Sequence, residues 1–565
     1  MKTPLPLYAP LPTPEEMRRW DEAAHSRFGI PTLLLMENAA QAAFSVLNER
    51  CPLKPESRIL IFMGRGNNGG DGAALARLLH DEGHGVLVLA SGPVDGLGSP
   101  GREHALMAQT LGVNFLSSNS GTAPELSLGW DRPDVVIDAI TGTGIRGELR
   151  DRELGLVHAI NAFRENAFIL ALDIPSGLCG YTGRPKPEAV RAHATVTFEA
   201  GKPGLYFPEA REFTGSVIVR RVGLPMALRA SIPPSWLLLA PQKGTWALPS
   251  PWQHKGGAGK TLVIGGCEGM AGAPLLAALG SLRAGAGLAH AALPGGLEAA
   301  VRSACPDILS HPVGSGQSWR ENDAPGLVSL IRNIAPDALV IGPGMGRTAA
   351  TRAIVQAVLA EKNRPPVVLD ADALFFFHLP DHRTPPTGPA AGQAAGSATG
   401  PEPLPLSWEL LTENDVLTPH PGEMARMLPC SFFSEAGGKD GEAPPPLRAC
   451  IATLQEDRAG ALRALTRVCK AVAVLKGAGT LIGRRGSPTV LSPFTVSTLG
   501  VGGSGDVLAG VCAALMASGI GSLDAACLAV YLHGRAGEML AQKSPRGHLA
   551  RDIADAVSLA WKDLC

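Results

Sequence analysis

The sequence has no excess of one charge, no long apolar run and no apolar leader, and each absence excludes a class of protein. Its 50 basic and 51 acidic residues give a formal net charge of −1, so no global field attracts nucleic acid or an anionic membrane. No segment approaches the roughly 20 apolar residues of a membrane-spanning helix. Prolines break the N-terminal segment, which lacks the apolar core of a signal peptide. We therefore expect a cytoplasmic protein that binds neither nucleic acid nor membrane.

Paired cysteines are also missing. The ten cysteines are scattered and no two form a CxxC motif, which gives little support to a zinc or thioredoxin-like site. Isolated cysteines in apolar runs, such as Cys512 and Cys527, are typical of reduced core residues. Aromatic residues make up only 5%, whereas glycine (68) and proline (48) are abundant. This composition predicts many turns and glycine-lined ligand loops.

The length of 565 residues exceeds what one hydrophobic core usually supports. Both halves alternate short β-branched or Leu-rich runs with helical patterns, which is typical of βαβ units and parallel sheets. We predict domains at 1–228 and 250–565, joined by a proline-rich linker at 229–249. Two further segments, 380–406 and 434–447, are rich in Gly, Ala and Pro, and we interpret them as exposed insertions without a catalytic role.

Three polar motifs of the first half occupy the ends of predicted strands. They are GRGNNGGDG after strand 58–63, DAITGTGIRGE from the end of strand 134–138, and DIPSGL after strand 167–172. Ligands bind beyond the carboxyl ends of strands in open α/β sheets, so these motifs predict one site. Oxygens of Asn68, Asp138 and Ser176 could converge on a hard cation, and one carboxylate among neutral ligands favours a monovalent ion. Asp173 opens a rigid turn and is a candidate acid/base, or else an N-cap.

The motif GRGNNGGDG also satisfies the GxGxxG spacing of a dinucleotide-binding turn. That interpretation requires an acid at the end of the second strand, 86–89, but the sequence continues there with ASGP. A tight strand-to-helix turn would explain the glycines but not Asn67, Asn68 and Asp71, whose side chains lie near a phosphate-binding helix start. The missing acid argues against routine binding of a redox cofactor.

The second half carries its phosphate-site candidate in GVGGSGD, residues 500–506, which leads into an apolar helix at 507–516. Glycines at a helix start direct free backbone N–H groups at an anion. Asp506 would activate a hydroxyl for phosphoryl transfer, or else cap the turn. A P-loop at 259–261 fails, because the motif precedes a strand and its first glycine is absent. Other strand-end motifs are KGAGT, GPGMG, DAD and TPHPGE; in the last, His420 is a candidate ligand or a structural histidine.

Together these motifs resemble a known enzyme family. MENA at 36–39, GNNGGDG, DAxxGTG and DIPSGL are similar to the NAD(P)H-hydrate epimerase domain over about 15–225. GGCEGMAGA, GPGMG, LDADAL, LTPHPGE, KGAGT and GVGGSGDVLAG resemble the ADP-dependent NAD(P)H-hydrate dehydratase over about 250–565. Ala40, Thr141 and Cys267 depart mildly from the family pattern. The resemblance implies an α/β fold, with a Rossmann-like three-layer αβα domain followed by a ribokinase-like α/β domain.

The resemblance also implies the site residues. In the first domain, Asp173 would be catalytic, and the hydrated nucleotide would contact Asn67, Asn68, Gly69, Gly70, Asp71, Gly142, Thr143, Gly144, Ile145, Arg146, Gly147, Glu148 and Asp173. Asn68, Asp138 and Ser176 would hold K⁺. In the second domain, Asp506 would be catalytic, the hydrated nucleotide would face Ala273, Gly344, Gly346, His420 and Asp506, and ADP with Mg²⁺ would face Lys476, Gly477, Ala478, Gly479, Thr480 and Gly505.

The activity implied is repair of hydrated nicotinamide cofactor, NAD(P)HX, by a homo-oligomer. The first domain would interconvert the R and S epimers, and the second would dehydrate the S epimer with ADP. Two alternatives remain open from the residues. The chain could be a small-molecule kinase fused to a nucleotide-binding regulator, which would release a phosphorylated product. The first half could instead be only a binding module, although the retained Asp173, Asp138 and Asn68 argue against that.

Overall fold

The structure is a computed structural model that describes residues 7–117, 130–144, 147–244, 252, 254–379, 405–433 and 446–565. The chain divides into two compact units. One is Ala9–Leu238, and the other comprises Leu239–Cys565 together with the N-terminal segment through Tyr8. The division falls in the segment predicted as a linker, where the run WLLL forms the strand Trp236–Leu239. Of the two predicted insertions, 380–404 and 434–445 lie outside the described residues, as do 245–251 and 253.

Parallel strands build the first unit. In chain order the strands of this half are β1 (Tyr8–Pro10), β2 (Arg58–Met63), β3 (Gly85–Ala90), β4 (Asn114–Ser117), β5 (Val135–Ala139), β6 (Phe168–Leu172), β7 (Ala194–Phe198), β8 (Ser216–Arg220) and β9 (Trp236–Leu239). Strands β2 to β8 form one sheet in the order β4-β3-β2-β5-β6-β7-β8, and its pairs are parallel. The chain winds outward from β2 and then returns to β5, so the switch point of the sheet lies between these two strands.

Helices cover both faces of this sheet. They are α1 (Pro14–Phe28), α2 (Thr32–Arg50), α3 (Asn67–Asp81), α4 (Gly101–Thr110), α5 (Asp151–Ala162), α6 (Arg211–Thr214) and α7 (Met226–Ser231). Side chains of β2 alternate between the two layers. Ile59 and Ile61 pack with α2, α3 and α4, whereas Leu60 and Phe62 pack with α5. The unit is therefore an αβα sandwich with one apolar core on each side of the sheet.

The second unit has a larger mixed sheet. Its strands are β10 (Lys260–Ile264), β11 (Leu288–Pro294), β12 (Leu309–Val313), β13 (Ala338–Ile341), β14 (Val367–Leu369), β15 (Val416–Leu417), β16 (Val472–Leu475), β17 (Leu481–Gly483) and β18 (Thr489–Leu491). The same sheet also contains β1 and β9, and its order is β1-β9-β18-β17-β16-β15-β14-β13-β10-β11-β12. The run from β12 to β16 is parallel, and β17 and β18 add antiparallel pairs. The switch point lies between β10 and β13.

The helices of this unit are α8 (Gly272–Arg283), α9 (Glu298–Ala304), α10 (Ala324–Ile334), α11 (Ala349–Ala360), α12 (Pro421–Met427), α13 (Cys430–Phe433), α14 (Leu447–Glu456), α15 (Arg458–Val468), α16 (Ser504–Ala517), α17 (Ser522–Lys543) and α18 (Ala550–Ala560). Helix α16 is buried along most of its length and packs on α8. At the N-terminal segment, the Tyr8 hydroxyl donates to Asp524 Oδ1 at 2.6 Å, and the Ala240 amide donates to the carbonyl of Leu7. No helix in the described ranges is long and apolar enough to cross a membrane.

The predicted α/β class with parallel sheets is confirmed. Helix α16 begins at Ser504 and not at 507 as predicted, and helix α3 already begins at Asn67. The polar and glycine-rich GNNGGDG segment is therefore the first two turns of the helix. Glycine is required at position 69 by close packing, because a Cβ there would lie 2.0 Å from the Gly64 carbonyl oxygen.

Candidate active sites

Asp138 and Ser176 form the buried centre of the first unit's candidate site. Asp138 lies near the end of β5 and is fully buried, as is Ser176. The Ser176 amide donates to Asp138 Oδ2 at 2.7 Å, and the Ser176 hydroxyl donates to Oδ1 at 2.5 Å. Burial raises the pKa of Asp138 to about 6, although the hydrogen bonds from Ser176 oppose that rise. The structure therefore places at the switch point a buried carboxyl group whose desolvation is partly offset by hydrogen bonds.

Asn68 lies beside this pair at the start of α3. Its Nδ2 donates to the Thr141 carbonyl at 3.0 Å, and the Thr141 amide donates to Ser176 Oγ at 2.9 Å. The Asn68 Oδ1 atom is buried and has no hydrogen-bond partner among the described residues. An unpartnered buried oxygen is costly unless something binds it. The three residues predicted to hold a cation are thus brought together around Thr141.

Asp173 follows β6 with a left-handed backbone, φ 62°, a conformation in which Asn and Asp are the commonest non-glycine residues. Its Oδ1 accepts from Lys202 Nζ at 2.5 Å, and its Oδ2 accepts from the Thr143 amide at 3.2 Å. These described contacts include no amide of its own turn, as an N-cap would require. The Asp173 carboxylate is instead held between a lysine and the loop that follows β5.

Lys202 is the residue of this site that sequence reasoning missed. Its side chain is only 1% exposed, and Nζ also donates to Thr197 Oγ1 at 2.8 Å and to the Phe198 carbonyl at 3.2 Å. All three ammonium hydrogens therefore have acceptors. A signal existed, because Lys202 follows the carboxyl end of β7, the strand next to β6.

The remaining predicted residues lie at different depths around Asp173. Gly142 is in contact, since a Cβ there would lie 2.9 Å from Asp173 Oδ2 and 3.4 Å from Asn68 Cβ. Asp71 is buried in α3; burial raises its pKa, and the nearby Asp173 charge adds to the rise. Gly144, Gly147 and Glu148 are exposed, whereas Ile145 and Arg146 lie outside the described residues.

In the second unit, a lysine and two acids form the centre of the candidate site. Lys476 Nζ lies 2.6 Å from Asp370 Oδ1 and 3.9 Å from Glu423 Oε2. The Thr418 hydroxyl donates to the same Asp370 oxygen at 2.7 Å. Burial alone would lower the pKa of Lys476, but the charges of Asp370 and Glu423 outweigh it and raise that pKa. Lys476 is therefore charged and held at the ends of β14, β15 and β16.

Asp506 stands in the first turn of α16, beside this cluster. Burial raises its pKa to about 7, the Asp370 charge adds to the rise, and Lys476 opposes it. A Cβ at Gly505 would lie 3.1 Å from Lys476 Nζ and 3.7 Å from Asp370 Oδ2, so the glycine loop meets the Lys476 cluster. Across the described chain, the amides of Gly502 and Gly503 have no backbone acceptor. The loop thus offers free N–H donors beside the carboxyl group of Asp506, whose pKa lies near 7.

His420 caps a helix, as a structural histidine does, and it also faces the Lys476 cluster. It caps α12, with Nδ1 accepting from the Gly422 amide at 2.9 Å and from the Glu423 amide at 3.3 Å. Burial lowers the pKa of His420 to about 4, with the Lys476 charge adding to the effect, so the ring is neutral at pH 7. Since Nδ1 accepts, the ring proton is assigned to Nε2, which lies 3.3 Å from Glu423 Oε1.

The loops after β10 and β13 meet, because these two parallel strands are neighbours in the sheet. A Cβ at Gly344 would lie 3.1 Å from the Cβ of Ala273. The Gly346 amide donates to Asp372 Oδ2 at 2.9 Å, and a Cβ at Gly346 would be 3.6 Å from Cys267 Sγ. These contacts bring the GPGMG loop to the Asp370–Asp372 turn.

Arg458 holds the KGAGT loop, and no sequence pattern pointed to it. Its guanidinium donates to the carbonyls of Leu475 at 3.2 Å, Lys476 at 3.3 Å and Gly479 at 3.2 Å, and also to that of Ala478. Thr480 Oγ1 donates to the Gly477 carbonyl at 2.8 Å. Arg458 thus holds the carbonyls of Lys476, Ala478 and Gly479, and Thr480 holds that of Gly477.

Both halves of the chain match the models of known protein families. Residues 32–204 match the family model described as YjeF-related protein N-terminus, and residues 261–387 and 405–559 match that described as NAD(P)H-hydrate dehydratase. The chain is 33% identical to the bifunctional NAD(P)H-hydrate repair enzyme Nnr of Moorella thermoacetica, covering 98% of this chain and 97% of that one. It is 32% identical to the protein of the same name from Escherichia coli, covering 95% and 91%. Among solved structures, the ADP/ATP-dependent NAD(P)H-hydrate dehydratase from Bacillus subtilis, co-crystallized with ATP/Mg²⁺, is 25% identical with a TM-score of 0.40, covering 56% of this chain and 94% of that one.

Proposed function

Because this chain belongs to the family of bifunctional NAD(P)H-hydrate repair enzymes, we propose which of its residues carry each of the two reactions. It is an enzyme that epimerises R- and S-NAD(P)HX and dehydrates the S epimer with ADP, giving NAD(P)H, AMP and phosphate. The match along nearly the whole chain carries this assignment. We assign epimerisation to the domain at 1–228 and dehydration to the domain at 250–565.

For epimerisation we assign the proton transfer to Asp173. The stereocentre is C6 of the hydrated ring, and its inversion requires either reversible loss of the hydroxyl or ring opening. Both routes need a group that gives and takes a proton. Asp173 suits this role because Lys202 and the Thr143 amide fix both carboxylate oxygens. Lys202 acts as a positioning residue, since its hydrogens are occupied. Asn67 to Asp71 and the loop at 142–148 would hold the nucleotide.

We assign K⁺ to Asn68, Asp138 and Ser176. The donor set fits the ion, because it offers one carboxylate, a hydroxyl and an amide oxygen that is buried without a partner among the described residues. Bound K⁺ would supply charge that orders the loops at the switch point.

A K⁺-specific gain in stability is expected from this site. At ten times its dissociation constant, an ion bound only to the folded state adds about 1.4 kcal/mol, or about 3–6 °C in melting temperature for a unit of this size. Scanning calorimetry in KCl against choline chloride at equal ionic strength measures the increment. Asn68→Ala should abolish it, because the unpartnered oxygen is removed.

The matched control is Asn38→Ala. Asn38 donates to the Val222 carbonyl at 2.8 Å, so its loss should lower the melting temperature in both salts and leave the K⁺ increment intact. An increment of parental size in Asn68→Ala would remove that residue from the ion site.

For dehydration we assign the base to Asp506. It would take the proton of the C6 hydroxyl as the oxygen attacks the β-phosphorus of ADP, and AMP would leave. The free amides of Gly502 and Gly503 would stabilise the charge on the transferring group. The ring nitrogen lone pair would then expel phosphate from C6, and loss of a proton from C5 would form the C5–C6 double bond of NAD(P)H. Ala273, Gly344, Gly346 and His420 would face the dinucleotide, and 476–480 with Gly505 would face ADP.

Mg²⁺ would arrive with ADP. Mg²⁺ prefers one or two carboxylates together with substrate phosphates and water, and not an all-protein cage. The cluster fits such an ion, because Asp370 and Glu423 lie beside Lys476, where the nucleotide phosphates are expected. The ion would neutralise phosphate charge, while Lys476 would hold the side chains of Asp370 and Glu423 in place.

A mixture of R and S hydrate tests both activities at once. With excess ADP, recovery of NADH absorbance should pass the initial S fraction and reach completion, because epimerisation refills the S pool. Free phosphate should equal NADH formed. A stop near the S fraction would leave only the dehydratase, and accumulation of a phosphorylated product without NADH would favour a kinase.

A further inference from the structure

A cleft beside the second unit's site carries charge that the reactions above do not use. It is lined by Arg347, Ala371, Leu374, Phe375, Glu423 and Arg426. Its position follows from Glu423, which lines the cleft and also faces Lys476 and His420. The cleft therefore adjoins the groups assigned to dehydration.

One of its two arginines is anchored. The Arg347 guanidinium carbon lies 5.3 Å from the centre of the Phe375 ring, and Nε donates to Asp372 Oδ1 at 2.9 Å. The other oxygen of Asp372 accepts from the Gly346 amide. Arg347 is thus fixed to the GPGMG loop, which is assigned to the dinucleotide and not to ADP.

The charge of the other arginine, Arg426, has no ion-pair partner among the described residues. Arg426 is half-buried on α12, and its guanidinium has no hydrogen bond or ion pair to any described residue. Burial lowers its pKa, and the charge of Arg347 adds to the effect while Glu423 opposes it. Glu423 lines the same cleft, but its carboxylate faces Lys476 and His420 and forms no ion pair with Arg426 among the described residues. Two guanidinium groups that repel each other across an apolar floor favour an anion between them.

We propose that this cleft binds a phosphate group of the hydrated dinucleotide during dehydration, with Arg426 as the direct ligand and Arg347 as its anchored neighbour. The inference rests on the proposed function and deepens it. Three observations support the dinucleotide over ADP: the link from Arg347 through Asp372 to Gly346, the adjacent His420, and the separate support of the ADP loop by Arg458. Leu374 and Phe375 would shield the contact from water, which strengthens it.

Arg426→Gln tests the site through steady-state kinetics with separate S-NADHX and S-NADPHX. A charge-assisted hydrogen bond is worth about 1.5–3 kcal/mol, so KM for the hydrate should rise about 10- to 100-fold. The turnover number kcat should change little, because the phosphate is held equally in ground and transition states. Arg426→Lys keeps the charge without the planar fork and should give an intermediate KM. Arg332→Gln, an exposed arginine paired with Glu361, is the matched control.

The outcomes separate the sources of phosphate. Equal KM increases for both hydrates identify the pyrophosphate, and an increase for S-NADPHX alone identifies the 2′-phosphate; either supports the site. Unchanged KM values for both hydrates, or an increase confined to ADP, would overturn it. Failure of the parent enzyme to dehydrate either hydrate would instead refute the proposed function, so the two failures are distinct.

Discussion

Replacing Asp506 with asparagine is expected to lower ADP-dependent dehydration of S-NADHX by about 10³-fold, within the range found for loss of a general base. Asparagine has nearly the same shape, so the α16 turn and the free amides of Gly502 and Gly503 should persist. What is lost is the ability to accept the C6 hydroxyl proton. The rate is followed as recovery of NADH absorbance, together with release of phosphate.

The pH dependence of the parent enzyme is part of this test. The raised pKa of about 7 means that Asp506 loses its base form as pH falls through 7, so kcat/KM should decline tenfold per pH unit on the acid side. Glu423 also has a pKa raised to about 7, and Glu423→Gln distinguishes its contribution. Asp563→Asn, which removes a carboxylate paired with Arg535, is the control for charge alone. An Asp506→Asn rate within tenfold of the parent would remove Asp506 as the base.

Replacing Asp173 with asparagine is expected to lower epimer exchange by about 10²–10⁴-fold, because the proton carrier is lost. The left-handed backbone at this position, φ 62°, is one that asparagine also tolerates. The effect should therefore be chemical and not a consequence of backbone strain. Exchange is measured by incubating pure S hydrate without ADP and resolving the epimers chromatographically. Dehydration of pure S hydrate by the same variant should keep its parental rate.

Stability needs its own control, since Asp173→Asn removes the carboxylate that is ion-paired with the buried Lys202 ammonium. Breaking a buried pair in this way costs about 3–5 kcal/mol. The double variant Asp173→Asn with Lys202→Met removes the stranded charge and should recover much of the melting temperature. It should remain inactive in epimer exchange. Return of exchange with recovered stability would show that Asp173 acts on folding and not on the reaction.

The sequence predicted which side chains of the first unit lie together, because its motifs coincide with strand ends. Parallel strands bring their carboxyl ends to one edge of the sheet, so Asn68, Asp138 and Ser176 had to be neighbours once the strands were recognised. Lys202 escaped although it obeys the same rule, because a lone lysine carries no motif. Its burial was not foreseeable, since lysine is almost never buried unless paired.

The second site contains contacts that could not be predicted from the sequence. The loops around Asp506 and Gly346 were recognisable from their glycines. Arg458 was not, because it lies on α15 and reaches the KGAGT loop only through tertiary packing. The two interpretations of His420 were posed as alternatives, yet the structure gives the ring nitrogens different tasks: Nδ1 caps α12, and Nε2 faces Glu423. A sequence shows which residue is present but not which partner each atom of its side chain contacts.

The contact between Tyr8 and Asp524 has a consequence for synthesis on the ribosome. Residues Ala9–Leu238 form a continuous unit that can fold as soon as they emerge. The second unit instead includes the segment through Tyr8, and the Tyr8 hydroxyl bonds to Asp524 on α17, which is translated after the whole of Ala9–Leu238. Tyr8 must therefore wait without this partner until the intervening unit and α17 have been synthesised. Expression of 239–565 alone would omit that segment and leave Asp524 without its Tyr8 hydrogen bond.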